Sequence, residues 1–191
     1  IAELESRIGL DKPIVVQYFD WITGILQGDL GTSIWTGRPV AKEIMANIWP
    51  TLELTFLSVL FGAGLAVPIG CFMAEARGKT AEVLVRVMAI AGLTIPSFWL
   101  GIVLIFLLAK LLPGAAMLGY VPFTEDPLGN LQRMILPVFA LSLPMLANLS
   151  RLVRSAMLDA LGQDYVRTAK SKGAGRFRVV YWHALRNALI P

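Results

Sequence analysis

Three long runs without a charged residue constrain this chain more than any other feature of its sequence. They cover residues 54–74, 87–109 and 134–150, which are 21, 23 and 17 residues long. At about 1.5 Å of rise per residue, a helix over either of the first two crosses the roughly 30 Å core of a bilayer, and the third nearly does. Only 16% of the residues are charged, so we predict an integral membrane protein rather than a water-soluble domain.

Basic residues near the ends of these runs predict the side of the membrane that each loop occupies. Loop 75–86 holds three Lys or Arg, connection 110–133 holds two over a longer stretch, and segment 151–178 holds seven. We therefore expect loop 75–86 and the segment after 150 to be cytoplasmic, and connection 110–133 to be external.

These features together predict an all-α, polytopic membrane helix bundle. We expect it to consist of an external segment 1–49, a transmembrane bundle 50–150 with spans at about 51–74, 87–110 and 134–152, and a cytoplasmic segment 151–191 that leads into the next span. Because the chain begins at Ile1 and stops beside an apolar stretch, we expect an internal fragment of a larger protein, with another span upstream.

The external segment contains an apolar stripe at helical spacing, formed by Ile14, Tyr18, Trp21, Ile22 and Ile25. This spacing predicts a short amphipathic helix on the outer surface. Its tryptophan, with others nearby, is typical of interfacial anchoring, and docking of an external partner is the alternative.

The spans carry signals for close packing and for irregular helices. Gly62, Ala66 and Gly70 form a stripe of small residues that lets another helix approach closely. Pro96, Pro137 and Pro144 lie inside the second and third spans and predict kinks there. Such kinks suit a pathway that opens and closes, although packing alone also explains them.

Ionisable groups within the spans are almost absent. Glu53 stands at the edge of the first run, and Asn148 is the only amide in the third. Because transporters driven by protons or sodium ions need such groups near the middle of the membrane, this composition argues against an ion-coupled transporter.

The cytoplasmic segment predicts two short helices joined at a glycine bend. Residues 164–172 are compatible with a helix, Gly173 and Gly175 supply the bend, and a second helix starts at about Arg176. The apolar side of that second helix is predicted to hold Phe177, Val180, Tyr181, Ala184, Leu185 and Ala188. Such a compact knob fits a groove of a partner protein, and the alternative is a basic loop that contacts anionic lipid.

No catalytic, cofactor or metal site is predicted in the chain. Gly78, Lys79 and Thr80 look like the end of a phosphate-binding loop, but Met73 stands where its first glycine belongs. Cys71 and His183 are the only residues of their kinds, so neither can be part of a Cys/His metal cluster. We expect the chain not to be an enzyme, and we expect no nucleic-acid partner.

Several motifs resemble the permease subunits of bacterial ATP-binding-cassette importers, in the branch that carries dipeptides, oligopeptides and nickel. The motifs are GLDKPIVVQY from Gly9, GDLGTSIWTGRPV from Gly28, PTLELT from Pro50, IPSFWLG from Ile95 and LGQDYVRTAKSKG from Leu161. The last corresponds to the EAA loop of these permeases, with its glycine at Gly173. Of the Glu-Ala-Ala triplet only Ala169 matches, and RTAKSKG followed by HALRNALIP resembles the form of this branch.

The resemblance implies the type I importer permease fold, of the first of two permease subunits, in the bacterial inner membrane. It implies two cytoplasmic ATPase subunits, a second permease subunit and an external solute-binding protein as partners, besides the lipid bilayer. ATP hydrolysis is then expected in the ATPase subunits, and the cytoplasmic loop couples to them. The residues expected to form this coupling contact are Tyr165, Arg167, Ala169, Lys170, Lys172, Gly173 and Phe177.

The predicted function is the import of di- or oligopeptides through a pathway that this subunit helps to form. Import of nickel or glutathione by the same machinery is one alternative. A membrane protein without a transport role, whose basic loop binds lipid, is the other. Because nickel favours histidine or carboxylate ligands and the spans lack them, the sequence favours peptides.

Overall fold

The computed structural model describes residues 12–112 and 119–188. Two predicted features extend beyond these residues, namely the start of the motif at Gly9 and the approach to the next span at Pro191. Within the described ranges, every regular element is helical apart from a single β-bridge between Thr32 and Pro39. The chain divides into two compact units, with the boundary between Leu52 and Glu53.

The first unit contains helix α1, Ile14–Leu26, at the position that the apolar stripe predicts. The helix starts directly after Pro13, whose fixed φ suits the beginning of a helix. None of its residues is buried. Gly28, with φ of +83°, then turns the chain into the loop that precedes the next helix.

Among the residues that the structure describes, two helices are each long and apolar enough to cross a membrane. Helix α2, Val40–Glu75, has 36 residues, and helix α5, Pro127–Leu161, has 35. They contain the predicted spans 51–74 and 134–152 and continue beyond them, because an uncharged run marks only the part of a helix that lies in lipid. The predicted boundary at residue 150 therefore falls inside α5.

The predicted second span is not one kinked helix. Helix α3, Thr80–Thr94, and helix α4, Ser97–Leu111, meet at a bend of 101°. Ile95 has an extended backbone, and Pro96 immediately precedes α4. Proline disfavours the helical conformation in the residue before it, so Pro96 separates two helices instead of kinking one.

The other prolines lie inside continuous helices. α5 runs through Pro137 and Pro144, and α2 runs through Pro50 and Pro68, which were not predicted as special positions. Within α5, the Asn148 side chain donates a hydrogen bond to the carbonyl of Pro144, with a distance of 3.0 Å. That α5 is kinked at its prolines stays a prediction.

Helices α2 and α5 approach each other at the predicted small residues. Ala66 is completely buried, and Gly62 and Gly70 are buried on either side of it. A methyl group built on Gly70 would lie only 2.6 Å from Cβ of Val153. α3 and α4 also pack along α5, so α5 is the central helix of this unit.

The chain ends, within its described part, in three short helical segments. They are α6, Asp164–Ser171, a π-helical segment π1, Arg178–Ala184, and α7, Leu185–Ala188. The sequence predicts an ordinary helix from about Arg176, whereas the structure forms i→i+5 hydrogen bonds there. The buried residues of π1 are Val179, Val180 and Ala184.

Candidate functional site

Residues 164–184, which we call the knob, form a compact projection at the basic end of α2 and α5. α6 forms its first half and contacts π1, which forms its second half. Val166 is fully buried and is the one residue of α6 that belongs to the interior. The rest of α6 is therefore presented outward.

Gly173 produces the bend that the sequence predicts. Its φ is +80°, a left-handed conformation that glycine adopts without steric cost. Its N–H donates to the carbonyl of Lys170 at 3.0 Å, and the N–H of Ala174 donates to that of Ala169 at 3.1 Å. These two bonds form a Schellman motif, which ends α6 and fixes the direction of the following chain.

The inner face of π1 packs against both long helices. Val180 and Ala184 belong to one apolar cluster with residues from the last turns of α2 and from α5. Those residues are Cys71, Ala74, Val153, Met157 and Ala160. This buried, continuous cluster attaches the knob to the ends of both helices.

An ion pair gives the knob a second connection to α2. The guanidinium of Arg176 donates two hydrogen bonds to the carboxylate of Glu75, with distances of 3.2 and 3.3 Å. Since the arginine is largely exposed, the pair contributes little stability and mainly orients the bend.

The outer face of π1, together with Phe177 directly before it, exposes aromatic rings. Phe177 is 75% exposed and Trp182 is 68% exposed, although large apolar side chains are usually buried. Phe177 packs on Tyr181 with ring centroids 4.6 Å apart. These rings line a surface cleft together with Arg178 and His183.

Tyr181 supplies a polar group at the edge of this cleft. Burial of the ring is the main reason why the pKa of Tyr181 is raised, and the nearby Cys71 and Glu75 add to it. Since the ordinary pKa of tyrosine is about 10, the phenol is protonated at neutral pH in any case and can donate a hydrogen bond. The cleft thus offers apolar rings and donors together, as partner-binding surfaces commonly do.

The structure places the predicted coupling residues at the surface of the knob. Arg167, Lys170 and Lys172 are exposed, as is Tyr165, and Ala169 is half-buried. Arg167 lies 3.7 Å from Asp164 in a solvent-exposed ion pair. These side chains are accessible to a partner, and their role in coupling stays a prediction.

The predicted apolar side of the second helix is only partly kept together in the structure. Val180 and Ala184 are buried, whereas Phe177, which was predicted both on this side and as a coupling contact, is exposed. Val179, which is outside the predicted pattern, is buried. Its exposure leaves Phe177 able to contact a partner.

Sequence reasoning missed three members of the aromatic cleft as site residues, namely Arg178, Trp182 and His183. The signal available was an unusual density of aromatic and basic residues between positions 176 and 183. Among the described residues, no group of three or more His, Cys, Asp or Glu could hold a metal ion. The exposed rings and hydrogen-bond donors of the cleft are typical of a surface that binds a macromolecular partner.

Comparison with known proteins finds similarity to membrane components of transport systems. The family model described as "Binding-protein-dependent transport system inner membrane component" matches residues 66–191. The probable D,D-dipeptide transport system permease protein DdpB of Escherichia coli K12 is 37% identical, over 100% of this chain and 62% of its own length. The dipeptide transport system permease protein DppB of the same strain is 36% identical, over 100% of this chain and 63% of its own.

A relative from a different genus agrees with these two. A putative peptide transport system permease protein of Brucella suis biovar 1 is 36% identical, over 100% of this chain and 60% of its own length. The chain thus spans about three fifths of the length of the curated relatives that it matches.

Proposed function

The chain belongs to the family of binding-protein-dependent transport system inner membrane components, and we propose that it acts as the permease subunit of an ATP-driven importer. Helices long enough to cross a membrane support this proposal, as does similarity to permeases over the whole chain. The fold is accordingly that of a membrane helix bundle of this permease family, as the sequence predicts.

One observation carries the proposal. The knob exposes Phe177 and Trp182 on its outer face while its inner face joins the core of α2 and α5. A loop that only neutralised lipid charge would need neither the exposed rings nor the buried attachment. A surface that receives a movement and passes it to membrane helices needs both.

The mechanism follows from these contacts. An ATPase subunit binds the aromatic cleft, and its closure on ATP displaces the knob. The apolar cluster around Val180 carries that displacement to the ends of α2 and α5. These helices cross at Gly70 without an intervening side chain, so they rearrange together and open the pathway to the other side.

The partners follow from this role. We propose that two ATPase subunits lie on the side of the knob, the cytoplasm, and that a second permease subunit completes the pathway. An external solute-binding protein delivers the substrate on the opposite side of the membrane. ATP is hydrolysed in the ATPase subunits, so this chain itself is not an enzyme.

The proposed substrates are di- or oligopeptides. The names of the relatives refer to dipeptide, D,D-dipeptide and peptide transport. The described residues offer no cluster of ligands suited to nickel. Nickel or glutathione import by the same machinery remains an outcome of the following test.

The test uses the full-length permease, reconstituted in vesicles with its partner subunits and its binding protein. We expect ATP-dependent uptake of a dipeptide, and we expect Trp182→Ala to reduce it by at least about tenfold, as the loss of a binding hot spot does. Leu152→Ala is the control, since Leu152 is equally exposed but lies on α5. Uptake of nickel or glutathione alone would refute the peptide assignment, and unchanged uptake in Trp182→Ala would favour a lipid-binding loop.

A further inference from the structure

A buried carboxylate joins three parts of the membrane unit. Glu82, near the start of α3, is 3% exposed. It accepts a hydrogen bond of 2.8 Å from the backbone N–H of Gly78, in the turn between α2 and α3. It also accepts hydrogen bonds from the guanidinium groups of Arg86 on α3 and Arg154 on α5.

The two arginines are not equivalent. Arg86 is about half exposed and follows Glu82 by one helical turn, so it adds only a local contact. Arg154 is mostly buried and comes from a different helix. Its Nε is buried and has no hydrogen-bond partner in the described part of the chain. Glu82 is therefore the group that compensates the charge of Arg154 inside the protein.

The position of this cluster connects it to the knob. Arg154 follows Val153, which belongs to the apolar cluster that holds π1. Glu75, which pairs with Arg176 of the knob, ends α2 just before the turn that contains Gly78. The end of α2 and α5 are thus each attached to the knob, and the turn that follows α2 and α5 are each bonded to Glu82.

We propose that Glu82 is a positioning residue of the transport cycle, which fastens α3 to α5 so that movement of the knob reaches the bent pair α3 and α4. The inference rests on the proposed function and deepens it. α3 and α4 both pack along α5, but Glu82 forms the ionic attachment at the end nearest the knob. Without this ionic attachment, the knob and α5 move but α3 and α4 do not follow them.

The experiment measures coupling rather than activity alone. The complete transporter is reconstituted with full-length permease, and dipeptide uptake and ATP hydrolysis are measured on the same vesicles. Glu82→Gln keeps the shape of the side chain and an acceptor for Gly78 but removes the charge. We expect the number of peptides transported per ATP to fall about tenfold, while ATP hydrolysis and association with the ATPase persist.

Arg154→Gln should lower the same ratio, and the double variant should be no worse than either single one, because both remove one interaction. Arg154→Lys, which keeps the charge, should recover most of the ratio. Arg151→Gln is the matched control, since Arg151 is exposed and lies one turn earlier on α5.

Three results would overturn the proposal. The first is an unchanged number of peptides per ATP in Glu82→Gln, and the second is a strictly additive loss in the double variant. The third is a smaller amount of folded Glu82→Gln protein that still transports the wild-type number of peptides per ATP. If Glu82→Gln does not fold, the comparison of Arg154→Gln with Arg154→Lys tests the proposal instead. Equal numbers of peptides per ATP in these two variants would then overturn it. Failure of the wild-type complex to import peptide would instead refute the proposed function, and it is seen before any variant is compared.

Discussion

At the scale of single residues, two glycines of α2 have opposite surroundings. Gly70 faces α5, and a methyl group there would lie 2.6 Å from Cβ of Val153 and 2.7 Å from the carbonyl oxygen of Ser150. Gly64 has nothing within 4 Å of such a methyl group. The two positions therefore separate the effect of helix packing from the general effect of glycine in a helix.

We expect Gly70→Ala to destabilise the protein by about 1 to 3 kcal/mol, because the backbones of α2 and α5 must move apart. Gly64→Ala should be neutral or slightly stabilising, since alanine is the better helix former. Thermal unfolding of the full-length variants in detergent measures both. Equal midpoints for the two variants would show that α2 and α5 do not cross at Gly70.

Gly173 is the residue whose backbone conformation was most predictable. Its place after a basic helix and before a new apolar stretch is the usual signature of a helix end, and its φ of +80° agrees. Phe177 was less predictable, because the choice between an α- and a π-helical turn depends on what π1 packs against. That information lies in α2 and α5, and α5 ends at Leu161, 17 positions before π1 begins at Arg178.

At the scale of elements, the shape of the knob depends on the bend after α6. A β-branched residue at Gly173 must leave the left-handed conformation or bear strain of roughly 1 to 2 kcal/mol. We expect Gly173→Val to weaken association with the ATPase subunits about tenfold, because π1 is displaced. Gly173→Asn should behave almost as wild type, since asparagine tolerates this conformation.

Gly175→Val provides the control for Gly173→Val, because Gly175 has no left-handed φ and nothing within 4 Å of an added methyl group. Retention of the ATPase subunits on the purified permease measures all three variants. Equal retention by Gly173→Val and Gly175→Val would mean that the bend does not matter for binding.

The sequence predicted that the long helices exist better than it predicted where they begin and end. The uncharged runs located α2 and α5, because lipid requires a long apolar helix whatever its partners are. They could not locate the ends, since outside lipid a helix stops according to caps such as Asp126, which accepts a hydrogen bond from the N–H of Gly129. They also missed the break at Pro96, because an apolar composition is shared by one kinked span and by two helices.

At the scale of the whole molecule, distant contacts were the least predictable feature. Glu82 and Arg154 are 72 positions apart, and Arg176 and Glu75 are 101 positions apart. No local sequence pattern relates residues so far apart. In the sequence, each of the four could equally be a solvent-exposed charge of a cytoplasmic loop. Yet the Arg176–Glu75 pair and the apolar cluster of π1 attach the knob to α2 and α5, and the Glu82–Arg154 pair attaches α3 to α5.

The central claim is that the outer face of the knob binds the ATPase. A photoreactive amino acid placed at Trp182 of the full-length permease, in the assembled transporter, tests it most directly. Trp35 is the control, because it is 96% exposed and belongs to the other compact unit. We predict a cross-link from position 182 to the ATPase subunit whose yield changes with ATP, and none from position 35. Cross-links from position 182 to lipid alone, or equal yields from both positions, would contradict the account.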